Sequence, residues 1–217
     1  MTIHKMSCPD LPKKSAHIES RRKNQGGIGM KNIFLMRQCS LSGVICLLFI
    51  LSLFVPANAA GIYQTEPRTG CRMWNPEPEP KDSFSWNGEC KDGYLEGFGI
   101  AQYFADGNPV GKYEGNFVKG KRSGKGVATW TNGNRYEGDW LDDNMHGKGL
   151  MTSTSGASYN GDWVRDKMQG YGVYLWPDGM RYEGNWVDGY MHGNGVLKSP
   201  DGQEMRGRFE KDKYLGP

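Results

Sequence analysis

With 32 glycines, 7 Trp and 11 Tyr among 217 residues and only 37% hydrophobic residues, the chain has too few aliphatics for a large aliphatic core and too many aromatics for a disordered polymer. Its net charge of +3 is unevenly placed: residues 1–59 hold eight of the 27 Lys and Arg and two of the 24 Asp and Glu, which leaves residues 60–217 at net −3. A folded part with no basic excess lacks the electrostatic footprint of a nucleic-acid binder.

The first recognisable element is an apolar run at residues 41–55 (LSGVICLLFILSLFV), preceded by Lys31 and Arg37 and followed by Pro56 and Ala57-Asn58-Ala59. A basic region, a short apolar stretch and a small-residue site together predict a signal peptide cleaved after Ala59. The run is shorter than the ~20 residues a span needs. Export to the periplasm or beyond is therefore expected, with an uncleaved inner-membrane anchor through 41–55 as the alternative. Met30 opens a more ordinary leader, so residues 30–59 read as the signal peptide and residues 1–29 as a misassigned start or a disordered extension. Arg21-Arg22 is followed by Lys23-Asn24 rather than by apolar residues, which argues against twin-arginine export.

Cys8, Cys39 and Cys46 leave with such a leader, and Cys71 and Cys90 remain. In an oxidising compartment that pair is most simply a disulfide closing a loop of about 19 residues and stabilising by roughly 3 kcal/mol, with two free thiols as the alternative. Residues 60–85 form an N-terminal cap segment too short for a catalytic fold.

A repeat follows over residues 86–217. Tyr113, Tyr136, Tyr159 and Tyr182 each open a Tyr-Glu/Asn-Gly-Asn/Asp-Phe/Trp motif, 23 residues apart. A Gly-x-Gly pair recurs behind each, as Gly124/Gly126, Gly147/Gly149, Gly170/Gly172 and Gly193/Gly195. A divergent copy begins at Trp86-Asn87-Gly88-Glu89-Cys90 and carries four extra residues. A half-copy at Met205–Phe209 closes the series, giving five full units and one closing strand. Tyr136, Gly138 and Trp140 alternate with Glu137 and Asp139, which is the period of a strand. A polar turn at Asp142-Asp143-Asn144 and Gly-closed connections at Asn132-Gly133 and Asp178-Gly179 make each unit a β-hairpin. Glycine weakens strand interiors, so Gly115, Gly138, Gly161 and Gly184, with the Gly-x-Gly pairs, are expected to seat an aromatic ring from a neighbouring strand. The fold class is all-β: a single-layer antiparallel sheet of consecutive hairpins after a cleaved leader.

The motif and its period resemble the MORN repeat. The resemblance implies an elongated, twisted antiparallel sheet with a role in protein assembly or membrane contact. Residues 70–76 with Trp86 and Cys90 resemble the N-terminal cap of secreted bacterial members.

No catalytic constellation appears, and the expectation is a non-enzymatic binder without cofactor. His146 and His192 share a slot two units apart, roughly four strands of ~4.8 Å, too far for one metal. Gly120–Lys125 lacks phosphate-loop spacing, and Asp106–Asn108 and Asp142–Asn144 lack the Glu of a calcium loop. The candidate binding face is the row Tyr113, Phe117, Tyr136, Trp140, Tyr159, Trp163, Tyr182 and Trp186, read mainly as packing over glycine and in part as lining an open groove. The candidate lipid-contact turn is Lys119, Lys121, Arg122 and Lys125. The leading expectation is an exported scaffold that binds a protein partner along its sheet. A membrane or phospholipid surface and a cell-wall glycan are the alternatives.

Overall fold

The computed structural model describes residues 61–217, and every regular element in them is a strand; the leader, its cleavage site and the Met30 start lie outside the described residues. A hairpin of β1 (Ile62–Thr65) and β2 (Arg72–Asn75) opens the structure. β3 (Asp82–Trp86) and β4 (Glu89–Lys91) both pair with the long β5 (Tyr94–Ala105) and together make the first unit. Five more hairpins follow: β6 (Asn108–Val118) with β7 (Lys121–Trp130), β8 (Arg135–Leu141) with β9 (Asn144–Thr152), β10 (Ser158–Val164) with β11 (Lys167–Leu175), β12 (Arg181–Val187) with β13 (Tyr190–Lys198), and β14 (Glu204–Glu210) with β15 (Lys213–Gly216). From β5 to β15 each strand pairs antiparallel with the next in sequence, forming one open sheet. The sheet departs from the expected antiparallel pattern only where β2 meets β5 in parallel, at Arg72 and Tyr94. The half-copy is also more than a closing strand: Phe209 pairs with Tyr214 across a full last hairpin.

Local chemistry sets the hairpins. The turns between their two strands hold both central residues at positive φ, as at Asp142 (48°) and Asp143 (69°), the primed geometry that matches strand twist. A non-glycine residue in that region carries strain of about 1–3 kcal/mol. The second Asp offsets it by accepting a hydrogen bond from the preceding repeat. Oδ1 of Asp143, Asp166 and Asp212 accepts the backbone N–H of Arg122 (2.8 Å), Met145 (2.7 Å) and Met191 (2.8 Å) respectively. The backbone N–H of each Asp then donates to the carbonyl of that same residue, at 3.1 Å in all three. Each turn is thus clasped to its predecessor at two points.

The Gly-x-Gly pair divides its work, and only its second member lies under a ring. Contrary to expectation, the first members, Gly124, Gly147, Gly170 and Gly193, seat no ring; they hold positive φ at the bulge of each hairpin. Gly147 sits at φ +59° where the β8–β9 register shifts, and the Asp139 carboxylate closes this bulge by accepting the Lys148 N–H at 3.0 Å. Gly149 lies opposite Gly138, and a Cβ on it would strike the Tyr136 hydroxyl. The ring over each glycine pair comes from within the hairpin: Tyr136 on β8 covers Gly149 on the neighbouring strand β9, as expected, and also Gly138 on its own strand. A tyrosine on the first strand lies across the two glycines it faces.

The last of these seats differs from the others. Gly126, Gly149 and Gly172 are buried, each under the tyrosine of its own hairpin and with its carbonyl bonded to the tryptophan of the next. Gly195, expected to be covered in the same way, is only half-buried. Tyr182 lies over it and a Cβ there would still strike that ring, so its packing role holds. The following unit, however, supplies Phe209 where the others supply Trp, a smaller ring with no N–H to bond the Gly195 carbonyl. Its neighbour β14 is also followed by a single short strand, so the sheet covers this end less fully.

Candidate functional site

The eight-ring row predicted as a binding face is the core. Tyr113, Tyr136, Tyr159 and Tyr182 are fully buried, and Trp140, the most accessible of the eight, is 4% exposed. Ring follows ring in near-perpendicular contacts at centroid distances of 5.0–5.5 Å, from Trp86 through Phe117, Tyr113, Trp140, Tyr136, Trp163, Tyr159, Trp186 and Tyr182 to Phe209. The polar tips are satisfied internally. Each Tyr hydroxyl donates to a backbone carbonyl three residues on (Asn116, Asp139, Asp162 and Asn185), at 3.0–3.2 Å. Indole Nε1–H of Trp140, Trp163 and Trp186 donates to the carbonyl of Gly126, Gly149 and Gly172, one repeat back, at 3.1–3.2 Å. Burial raises the pKa of all four tyrosines, that of Tyr182 to about 12. No open groove exists along this row, because the rings are used in covering the glycines and one another.

The opposite face of the sheet carries the exposed apolar groups. Val118, Leu141, Val164 and Val187 follow the four buried Phe or Trp rings and point away from them, 49%, 48%, 42% and 38% exposed. Phe98, Tyr171 and Tyr190 add aromatic surface there. Acid–base pairs run between these groups, including Lys125–Asp139 and Lys148–Asp162, both at 2.6 Å.

The predicted basic turn does not act as one cluster. Lys119 is exposed in the turn, Lys121 leans over the Trp74 ring, and Lys125 pairs with Asp139 on the outer face. Arg122 turns inward. Its Nε donates to Asp143 Oδ1 at 3.2 Å, its Nη2 donates to the Asp143 carbonyl at 2.7 Å, and its guanidinium lies 4.3 Å from the Trp140 ring centroid. Burial alone would lower the Arg122 pKa, but the facing Asp143 carboxylate reverses this and holds it raised. At Asp143 burial wins over the attraction of Arg122, and the carboxyl lies above the ordinary Asp range. Asp166 is raised too, by burial first, against the Met145 N–H and Arg122.

These groups border a cleft of about 220 Å³ between the β1–β2 hairpin and the turns of the following repeats, lined by Trp74, Tyr103, Arg122, Trp130, Asp143 and Asp166 among others. Trp74 N–H donates to the Gly120 carbonyl at 2.9 Å and Gly120 N–H to the Leu95 carbonyl at 2.9 Å, so the cap strand lies directly on the repeats. The Cys71–Cys90 disulfide ties it down, with Cα atoms 5.7 Å apart. Cys90 stands in the repeat slot that holds Phe117 and the tryptophans later, so a covalent link replaces a ring.

Sequence reasoning overlooked this cleft, although a signal was present. In the 23-residue alignment Arg122 falls in the slot of Met145, Met168 and Met191, and one polar residue in an apolar column marks a position worth inspecting. Among the described residues no group of three or more His, Cys, Asp or Glu is placed to hold a metal ion.

The family model described as MORN repeat matches residues 113–135, 136–158, 159–181 and 182–204, four adjoining frames that open at the four tyrosines. No curated protein matches the chain.

Proposed function

Because residues 113–204 place this chain in the MORN-repeat family, we propose that it is an exported, non-enzymatic scaffold that binds a protein partner on the outer face of its sheet. MORN repeats are commonly involved in protein or membrane-lipid interactions and are not known as catalytic. The observation that carries the reading is the exposed row Val118, Leu141, Val164 and Val187. Packing does not account for an apolar side chain left in water at the same place in four successive repeats, whereas an interaction surface does. Members of the row lie two strands, or about 10 Å, apart. An elongated partner would meet one apolar group per repeat, with the charged pairs between them setting register.

Export rests on the apolar run, the basic flank and Ala57-Asn58-Ala59. A membrane-surface reading has less support, since Arg122 is committed to Asp143 and the remaining lysines of that turn point in different directions.

The test is photo-crosslinking in cells with a reactive residue at Leu141 or Val164. A reproducible protein adduct, lost in the Leu141→Asp/Val164→Asp variant of unchanged melting temperature, is expected. Adducts only to lipid, together with flotation of the protein on anionic liposomes, would replace this reading with the membrane one. N-terminal sequencing of the cell-envelope protein tests export, with Ala60 as the expected first residue.

A further inference from the structure

The cleft beside the N-terminal hairpin is separate from the outer face, and Arg122 is its strongest mark. Leu95, Met145, Met168 and Met191 fill the equivalent slot in other repeats and are all buried. Asp143 already clasps its turn through the Arg122 N–H, and replacing a largely buried ion pair with apolar residues is often neutral for stability, so it is the Arg122 side chain that calls for a role other than holding the fold.

Two residues that line the cleft each carry a buried polar atom without a partner: Nε1–H of Trp130, a donor, and Oδ2 of Asp143, an acceptor. Leaving such atoms unpaired is unfavourable, which favours a ligand that completes them. Trp176 fills the Trp130 slot two repeats on and also leaves its Nε1 unpaired, but it does not border the cleft. An ammonium can only donate and a carboxylate can only accept, whereas a hydroxyl does both. An anion would also meet Asp82, Asp142, Asp143 and Asp166 with Arg122 as the single opposing cation among the lining residues. The cleft is smaller than the roughly 300–1,000 Å³ of a drug-sized pocket. We propose that it binds a neutral polyhydroxylated ligand, one sugar unit in size, whose hydroxyls accept from Trp130 and donate to Asp143 while its carbon skeleton rests on the aromatic wall.

The test follows the indole N–H resonances of the full chain by NMR during titration with neutral disaccharides (cellobiose, maltose, lactose, N,N′-diacetylchitobiose), and pelleting with cellulose, insoluble starch and chitin. A saturable shift of the Trp130 signal is expected with at least one disaccharide, and affinity about tenfold weaker in Trp130→Phe, which keeps the ring and removes the donor. Trp176→Phe serves as the control and should bind as the parent does. A disaccharide response marks a free sugar as the ligand. Retention on a polymer alone, with the same dependence on Trp130, marks a glycan chain. The proposal falls if no sugar shifts the Trp130 signal at about 50 mM, well above the millimolar affinity of a weak site, and no polymer retains the protein, because water alone then satisfies the two atoms. It also falls if Trp130→Phe and Trp176→Phe bind equally, or if cadaverine binds where no sugar does.

Discussion

The indole of Trp163 donates a hydrogen bond to the carbonyl oxygen of Gly149, 3.1 Å away, in the repeat before its own. The bond is buried, and the same ring contacts Tyr136 of that earlier repeat and Tyr159 of its own. Trp163→Phe keeps most of the ring and strands the Gly149 carbonyl, and a loss of about 1–2 kcal/mol is expected. Trp163→Ala also opens a cavity and is expected to lose about 3–5 kcal/mol. Urea unfolding followed by circular dichroism measures both.

Glycines in this sheet differ in what they tolerate. A Cβ on Gly161 would lie 2.6 Å from the Gly172 Cα and 2.5 Å from the Tyr159 hydroxyl, so backbone and ring both have to move. Gly202 has open space around it and only its positive φ of 89° to lose. Gly161→Ala should destabilise by about 3 kcal/mol, the upper end for overpacking, and Gly202→Ala by about 1 kcal/mol, the strain of a left-handed residue. Equal melting temperatures for the two variants would contradict the packing described here.

The Arg122–Asp143 pair makes a prediction that a stability role does not. Arg122→Met leaves Asp143 buried without its cation and should destabilise by about 3 kcal/mol. Arg122→Met/Asp143→Asn copies the apolar residue of later repeats and removes both charges. It should fold with stability equal to or above the parent, while losing any sugar response of the cleft. Denaturation of the two variants side by side distinguishes a pair kept for binding from one kept for the fold.

Cys71 and Cys90 close a 19-residue separation. Replacing both with Ala should weaken attachment of the N-terminal hairpin by about 3 kcal/mol by the chain-entropy account. Hydrogen exchange at Trp74 N–H, which bonds to the Gly120 carbonyl, should speed up while exchange in β8–β13 stays unchanged.

Asp139 and Asp162 set part of the acid response. Burial pushes both carboxyls up, but bonds from Lys125 and the Lys148 N–H at Asp139, and from Lys148 and the Tyr171 N–H at Asp162, bring both below the ordinary Asp value. Folding therefore disfavours their protonation. Their contribution is complete above the unfolded value of about 3.9 and disappears as pH falls through the lower folded values. Asp139→Asn/Asp162→Asn should remove this dependence below about pH 4, with less than about 1 kcal/mol per site because both groups are one-third exposed. The check is the melting temperature of variant and parent from pH 2 to pH 7.

The 23-residue spacing of Tyr113, Tyr136, Tyr159 and Tyr182 carries the hairpin series, since strand alternation and turn residues follow directly from local chemistry. The role of Asp143 and Asp166 as clasps was not legible, because it depends on which carbonyl and N–H lie across a repeat boundary. The fate of the aromatic row was also hidden. Alternation assigns Tyr136 and Trp140 to one face, but whether that face is open or closed depends on ring contacts between repeats. The same dependence explains Gly195, which shares the Gly-x-Gly motif of Gly149 and differs in the ring the next unit brings and in the short strand that ends the sheet. For the basic turn, adjacency in sequence misled: Arg122 and Lys125 end up on opposite faces of a strand whose turn geometry separates them. The cleft needed the docked N-terminal hairpin, whose short strands carry no repeat signal.

Two sets of bonds recur in register at successive repeat boundaries: Trp140, Trp163 and Trp186 reach back to glycines of the preceding unit, and Asp143, Asp166 and Asp212 clasp the backbone of the hairpin before their own. The dependence is mutual, since Lys125 and Lys148 reach forward to Asp139 and Asp162 of the following unit. Because the same bonds recur at each boundary, a unit of 23 residues inserted into or removed from β8–β13 would leave the remaining boundaries intact, so the length of the array is free to change without a new design of its joints.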